Sequence, residues 1–397
     1  MINYWISKNK EHCCGCRACE YACGKNAIKM EKDDEGFIYP VVDEELCVNC
    51  GICNQVCAYE TTTKKETSKR VLAAQNKDRS ILRDSSSGGV FRALAEYVIK
   101  NNGYVVGCLF DEQNKAKLVV SNKLNMIQRM QGSKYVFSDT NDTFKEIKHL
   151  LRNNKLVLFT GSPCQCNALK CFLRNDYDRL IVADFLCHGM PSQLMLDKYI
   201  DHLSKKDKVR INTIKFRDKQ HIDWGYCFSY MGKKHRYRVG DTDPYIYGFT
   251  KGFFNRMNCY SCKFKGVERV SDFTFCDFWG IEKLNLHLNS KIKNGVSALM
   301  VNTDKAVKIR KELENSLSFF ESSVNEVSLE NKSLVLQENE EIPKIRNSIY
   351  REMLQDSWDS VEKKYLKCAN LSQKKIWYSL PKSFRNVLKE MLRRFKK

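Results

Sequence analysis

Residues 13–23 read CCGCRACEYAC and residues 47–57 read CVNCGICNQVC. Both runs carry the spacing C-x2-C-x2-C-x3-C, on Cys13, Cys16, Cys19 and Cys23 and again on Cys47, Cys50, Cys53 and Cys57. Three thiolates at two-residue intervals wrap one side of a metal centre. Two readings compete. C-x2-C pairs hold zinc, and soft thiolates also select iron–sulfur clusters. Zinc needs only two such pairs and does not call for a fourth cysteine three residues after the third, so the full repeat favours clusters.

The spacing is that of a bacterial two-cluster ferredoxin, in which the fourth cysteine of each run crosses to the other cluster. The expected ligand sets are Cys13, Cys16, Cys19 with Cys57, and Cys47, Cys50, Cys53 with Cys23. Ferredoxins usually place proline after the fourth cysteine, where this chain has Gly24 and Ala58. The following helix loses a pre-set first turn, but no ligand is lost. Cys14 is the spare thiol and is read as a bystander.

The chain has 397 residues, 43% hydrophobic and 29% charged, which suits a soluble protein of two or three domains. No run approaches 18 apolar residues, and the first residues show no apolar core with a cleavage site, so neither a membrane span nor a signal peptide is expected. Nineteen cysteines without a secretory signal point to metal in a reducing compartment. The cytoplasm is the expected location. The net charge of +20 overstates the basicity, because each thiolate-bound cluster subtracts about two charges. A basic remainder suits nucleic acid, an anionic membrane or an acidic partner, or simply a solvated lysine-rich surface.

Ala27–Met30 and Phe37–Val42 read as short strands inside the cysteine-rich module, which takes residues 1–62. TTTKKETSKR, residues 61–70, has no large apolar residue, and a linker is placed at 63–70. A core follows over 71–335. Its strands are expected at 71–75, 104–110, 117–121, 156–160 and 180–186, with a helix after SSSGG and others at 167–173 and 192–203. Ser85–Gly89 is a hydroxyl- and glycine-rich helix entry, read either as an anion site or as ordinary capping. Cys164 and Cys187 fall at the ends of successive strands, where ligand sites gather in open sheets. With Cys259 and Cys262 of NRMNCYSCKFKG they are candidates for a third cluster. No G-x-G-x-x-G, Walker, G-x-S-x-G or H-E-x-x-H motif occurs.

Taken together, SSSGGVFRALAEYV, GSKYVFS, LFTGSPCQ, FLCHGMPS, FRDK and CYSCKFKGVERVSDFTFCDFWG resemble the coenzyme F420-reducing hydrogenase/dehydrogenase beta-subunit family, in order between residues 71 and 282. The resemblance implies a flavoenzyme that passes electrons between 4Fe-4S clusters and FAD, with the third cluster on Cys164, Cys187, Cys259 and Cys262. It implies flavin contacts at Ser86, Ser87, Gly88 and Gly89 and at Gly132, Ser133, Lys134 and Tyr135. His188, Lys219 and Asp277 are the candidate acids or bases. The implied partners are a ferredoxin-like donor and an organic substrate, in a setting that for many members is capsule or exopolysaccharide biosynthesis. The residue before Asp277, usually small, is Cys276 here. The competing reading is a non-catalytic subunit that relays electrons to a partner protein.

The expected fold is α+β overall: a dicluster ferredoxin module, an α/β core and a helical basic tail over 336–397. In the tail Phe384, Val387, Leu388, Met391, Leu392 and Phe395 form one stripe with basic residues off it. That pattern suits peripheral contact with the inner face of a membrane or packing on protein. Aromatics confined to that stripe, rather than interleaved with charge, argue against nucleic acid.

Overall fold

The computed structural model describes residues 9–368, apart from 62, 285–291, 332–333 and 335–339. The cysteine-rich module holds one antiparallel hairpin, β1 (Ile28–Lys32) and β2 (Ile38–Val42), and two short helices, Ala18–Ala22 and Ile52–Gln55. Each helix lies inside one cysteine repeat. The two repeats also share their backbone. Gly15 and Arg17 have φ of +68° and +61°, and Asn49 and Gly51, at the same offsets, have +52° and +72°. Alternating left-handed residues turn successive N–H groups inward and make a concavity suited to a negatively charged cluster.

The core is built on an eight-stranded mixed sheet. Its strands are β3 (Arg70–Asn76), β4 (Tyr104–Phe110), β5 (Ala116–Ser121), β6 (Val157–Thr160), β7 (Leu180–Phe185), β11 (Phe273–Asp277), β12 (Ser297–Val301) and β13 (Leu317–Ser322). The order is β13-β3-β12-β11-β7-β6-β4-β5. The four central strands β11, β7, β6 and β4 run parallel, and antiparallel strands flank them. Strands such as Val157–Thr160 are buried throughout because both faces of the sheet are covered.

Side-chain alternation sends Val105, Leu158, Ile181 and Ala183 to one core, beneath helices Val90–Lys100 and Asp304–Glu312. Val106, Val157, Phe159 and Val182 face the other, beneath helices Thr143–Arg152 and Pro163–Leu173. That second core also contains Cys14, Cys16, Ala18, Val56 and Ala58. The module is thus packed into the sheet's own core.

A third, small antiparallel sheet comprises β8 (Ile214–Lys215), β9 (Cys227–Met231) and β10 (His235–Val239). It shares a core with helix Gln193–Asp207 and with helices Glu341–Gln355 and Trp358–Tyr365, which bury Ile349, Tyr350, Met353, Trp358 and Val361.

Two features differ from the sequence reading. The segment taken as a linker is stitched to the core: Glu66 and Arg269 exchange backbone hydrogen bonds of 2.8 and 2.9 Å, and Thr63 N donates to Asn167 Oδ1 at 3.1 Å. A polar composition hides this, because backbone pairing needs no apolar side chains. The first part of the expected tail is also a structural clasp. Arg346, buried, donates to both Glu35 carboxylate oxygens and, at 3.0 Å, to the Asn255 carbonyl, so it ties the module to the core. The Phe384–Phe395 stripe lies outside the described residues. No described helix is long and apolar enough to cross a membrane.

Candidate functional site

Cys13, Cys16, Cys19 and Cys57 line one small cavity with Met30 and Tyr59. Cys13, Cys16 and Cys19 are at most 9% exposed. Cys50 of the second repeat is exposed, and beside it Leu46 and Val48 are 49% and 60% exposed. Backbone N–H groups already point at ligand sulfurs: Gly15 N donates to Cys13 Sγ and Ala27 N to Cys23 Sγ, both at 3.3 Å. Arg17 holds its left-handed conformation with Nε and Nη2 on Asp139 at 2.6 and 2.7 Å and Nη1 on Glu20 at 2.6 Å. On the module's other side Arg256 is buried, donates to the Cys13 carbonyl at 2.5 Å and stacks 4.0 Å over the Tyr39 ring.

Cys164, Cys187, Cys259 and Cys262 come together although they lie on separate elements. Burial pushes the Cys187 thiol up to about 12, and Cys164 and Cys262 add to the effect. Burial likewise raises Cys259, reinforced by Cys187, Cys262 and Cys164. Four mutually destabilising, half-buried thiolates are what a bound cationic centre offsets, because metal binding deprotonates its thiols. Among the described residues, the trio of His, Cys, Asp or Glu whose ligand atoms all lie within 4.8 Å is Asp218, His221 and His235. No cysteine trio among them is that tight. Zinc at roughly 2.3 Å from each sulfur demands closer sulfurs than this chain presents, so the donor sets fit clusters better. Cys14 is buried in the same core as Cys16, with Cys164 packed against that core, and so lies between the module and the core cysteines.

Beyond Cys187, at the carboxyl ends of β6, β7 and β11, opens a cavity of about 250 Å³. This edge is where open α/β sheets bind ligands. The cavity collects Ser86, Ser87, Gly89, Gly132, Ser133, Lys134, Tyr135, His188 and Asp277 from segments far apart in the chain. Ser133 donates its N–H and hydroxyl to Ser86 Oγ at 2.7 and 2.9 Å, which joins the two loops. Lys134 Nζ donates to the carbonyls of Arg129, Met130, Gln131 and Gly132 at 2.8–3.1 Å, and burial lowers its pKa to about 8. A Cβ on Gly132 would meet nothing within 4 Å, so this turn faces open space. Desolvation by the surrounding chain, with Lys265 nearby, lowers the His188 pKa.

Three expected roles change. Gly88 does not line the cavity: its N–H donates to Ser297 Oγ at 2.9 Å, and a Cβ would lie 2.1 Å from the Ala74 carbonyl. It is glycine because two strands pass close by. Lys219 is also outside the cavity and donates to the carbonyls of Leu82, Ser87 and Asn294 at 2.8, 3.0 and 2.6 Å. Burial and the Arg217 guanidinium push its pKa down to about 7, yet three carbonyl acceptors are a full set for an ammonium. It fastens the serine loop. Asp277 does face the cavity, but its carboxylate accepts from Arg217 at 2.6 and 2.9 Å and from Trp224 Nε1 at 2.7 Å. So committed a carboxylate positions its neighbours.

The sequence reading missed Arg217, although FRDK contains it. Its buried guanidinium also bonds to the Tyr135 hydroxyl at 3.1 Å and the Ser86 carbonyl at 2.9 Å. It therefore joins both loops to β11. Also missed were the wall aromatics. Tyr135 stacks on Phe249 at 4.3 Å, and Trp279, beside Tyr226, stacks on Trp224 at 4.7 Å. The density of aromatics in DWGYCF and DFWG was the available signal.

Residues 154–326 match the family described as the C terminus of the coenzyme F420 hydrogenase/dehydrogenase beta subunit, and residues 12–61 match the 4Fe-4S dicluster domain. The F subunit of the F(420)H(2) dehydrogenase of Methanosarcina mazei is 22% identical over 219 residues, which is 51% of this chain and 61% of that protein. The match thus spans about three fifths of the relative. A chain of the xenon-derivatised F420-reducing NiFe hydrogenase complex from Methanosarcina barkeri is 15% identical, with a TM-score of 0.47 over 73% of this chain and 94% of that one.

Proposed function

Taking the chain as a member of the coenzyme F420 hydrogenase/dehydrogenase beta-subunit family that carries a 4Fe-4S dicluster domain, we propose that it is an iron–sulfur flavoprotein component of an oxidoreductase. The module thiols would hold two 4Fe-4S clusters in the crossed sets given above. Cys164, Cys187, Cys259 and Cys262 would hold a third, and the aromatic cavity the ring system of an FAD. Clusters supply single electrons and a flavin exchanges one or two, which links a one-electron protein partner to an organic two-electron substrate.

The observation that carries this reading is the succession of thiols. Cys50 is exposed, the cysteines of the Cys13–Cys19 loop are buried, Cys14 shares a core with Cys16 and Cys164, and Cys187 stands in the cavity wall. A protein with no electrons to move inward has no use for that order. Around the cavity, Arg217 and Asp277 set the spacing of the serine loop and Tyr135. Lys134 and Lys219 hold the two turns by their carbonyls. The aromatic walls enclose the cavity, and the His188 ring in its lining would take up or return a proton.

The exposed surface at Leu46, Val48 and Cys50 favours a second reading alongside the first, in which a partner protein is the electron source. Anaerobic purification with iron, sulfide and flavin assays tests the proposal. About twelve irons and one FAD per chain are expected, after which substrates are screened, beginning with the coenzyme F420 named for the relatives. About eight irons with no flavin, even after added FAD, would leave a two-cluster relay and overturn the flavin assignment.

A further inference from the structure

On the far side of the serine loop lies a second pocket of about 680 Å³, lined by Gln75, Asn76, Lys77, Arg79, Arg83, Lys219, Asp223, Lys293 and Ser318 among others. It sits where β3 ends beside β13, with Ser318 paired to Gln75. Five basic side chains face one carboxylate. Lys219 and Lys77 are engaged with carbonyls, the latter on Glu314 O at 2.7 Å, and Arg83 lies 3.9 Å from Asp84. The Arg79 guanidinium and Lys293 ammonium have no carboxylate within ion-pair distance among the described residues. Unpaired cations in one roomy pocket ask for several anionic oxygens.

We infer that this pocket binds a phosphate-bearing polyanion, held by Arg79 and Lys293. Through Lys219, which reaches from the pocket to the Ser87 carbonyl, the occupant adjoins the loop that bounds the central cavity. The recognised chemistry is that of a pyrophosphate. Its source is either the tail of a dinucleotide whose rings occupy the central cavity or a separate phosphorylated substrate.

The test is calorimetric titration of the full chain with inorganic pyrophosphate, in flavin-loaded and flavin-free forms. At least one form binds pyrophosphate, and the Arg79→Ala/Lys293→Ala variant weakens binding at least tenfold with its melting temperature unchanged. An Arg174→Ala control, outside the pocket, leaves binding unchanged. Equal binding in both forms assigns a separate substrate, and binding confined to the flavin-free form assigns the dinucleotide tail. Absence of binding at 5 mM (roughly five-thousandfold above a micromolar Kd) in both forms, or binding that survives Arg79→Ala/Lys293→Ala, overturns the inference.

Discussion

The two cysteine repeats share their spacing and their left-handed turns, yet one is sealed and the other open. The inner repeat sits beneath Arg256 and Phe137 and against the helix that carries Cys164. The outer repeat shows Cys50, Leu46 and Val48 to solvent. Repeated sequence encodes how a cluster is gripped. Burial, decided by the rest of the chain, encodes whether that cluster faces a partner or the interior.

The strongest way to break this comparison is to remove one ligand from each repeat. Cys16→Ala and Cys50→Ala should each lose about four irons. Cys16→Ala should also lower the unfolding midpoint by roughly 5 °C or more beyond Cys50→Ala, because its cluster is part of a shared core. Iron assays and thermal melts under argon measure both, and equal destabilisation would mean the inner site is not integral to the fold. Next in size is Arg346→Leu, which leaves Glu35 without its guanidinium; removing one partner of a buried pair costs roughly 3 kcal/mol. Denaturant unfolding reads it, and a change below about 0.5 kcal/mol would show that the clasp does not hold the module.

Smaller effects come from the turns. Gly51→Ala meets open space, so it should cost only the left-handed conformational penalty, about 1 kcal/mol. Gly15→Ala adds contacts at 3.1 Å to Arg256 Nη1 and 3.2 Å to Phe137, for a further 1–3 kcal/mol or so. Equal costs would contradict the tighter packing of the inner loop. Val48→Lys should move stability by less than about 0.5 kcal/mol, while slowing reduction of the chain by a small redox protein in stopped-flow mixing. An unchanged rate would place electron entry elsewhere.

Much of this was legible in the residues. The cysteine repeats, the apolar runs that became β3, β4, β6 and β7, and the serine-rich entry to helix Val90–Lys100 are local signals, and local signals read well. What was not legible depends on pairing across the chain. Nothing in TTTKKETSKR announces that Glu66 will exchange backbone hydrogen bonds with Arg269. Lys219 and Asp277 lie in motifs of the expected site, but sequence does not reveal whether a polar side chain faces a cavity or spends its hydrogen bonds on the frame around it. Arg217 shows the same limit from the other side: its importance lies in four partners from four separate segments.

The sealing of Cys13, Cys16 and Cys19 also sets an order of manufacture. A scaffold protein that hands over iron and sulfide must reach those thiols while the Arg256 and Arg346 contacts are still open. On that reading, insertion of the inner cluster would precede docking of the module, whereas the outer site, with Cys50 exposed, would stay within reach in the finished molecule.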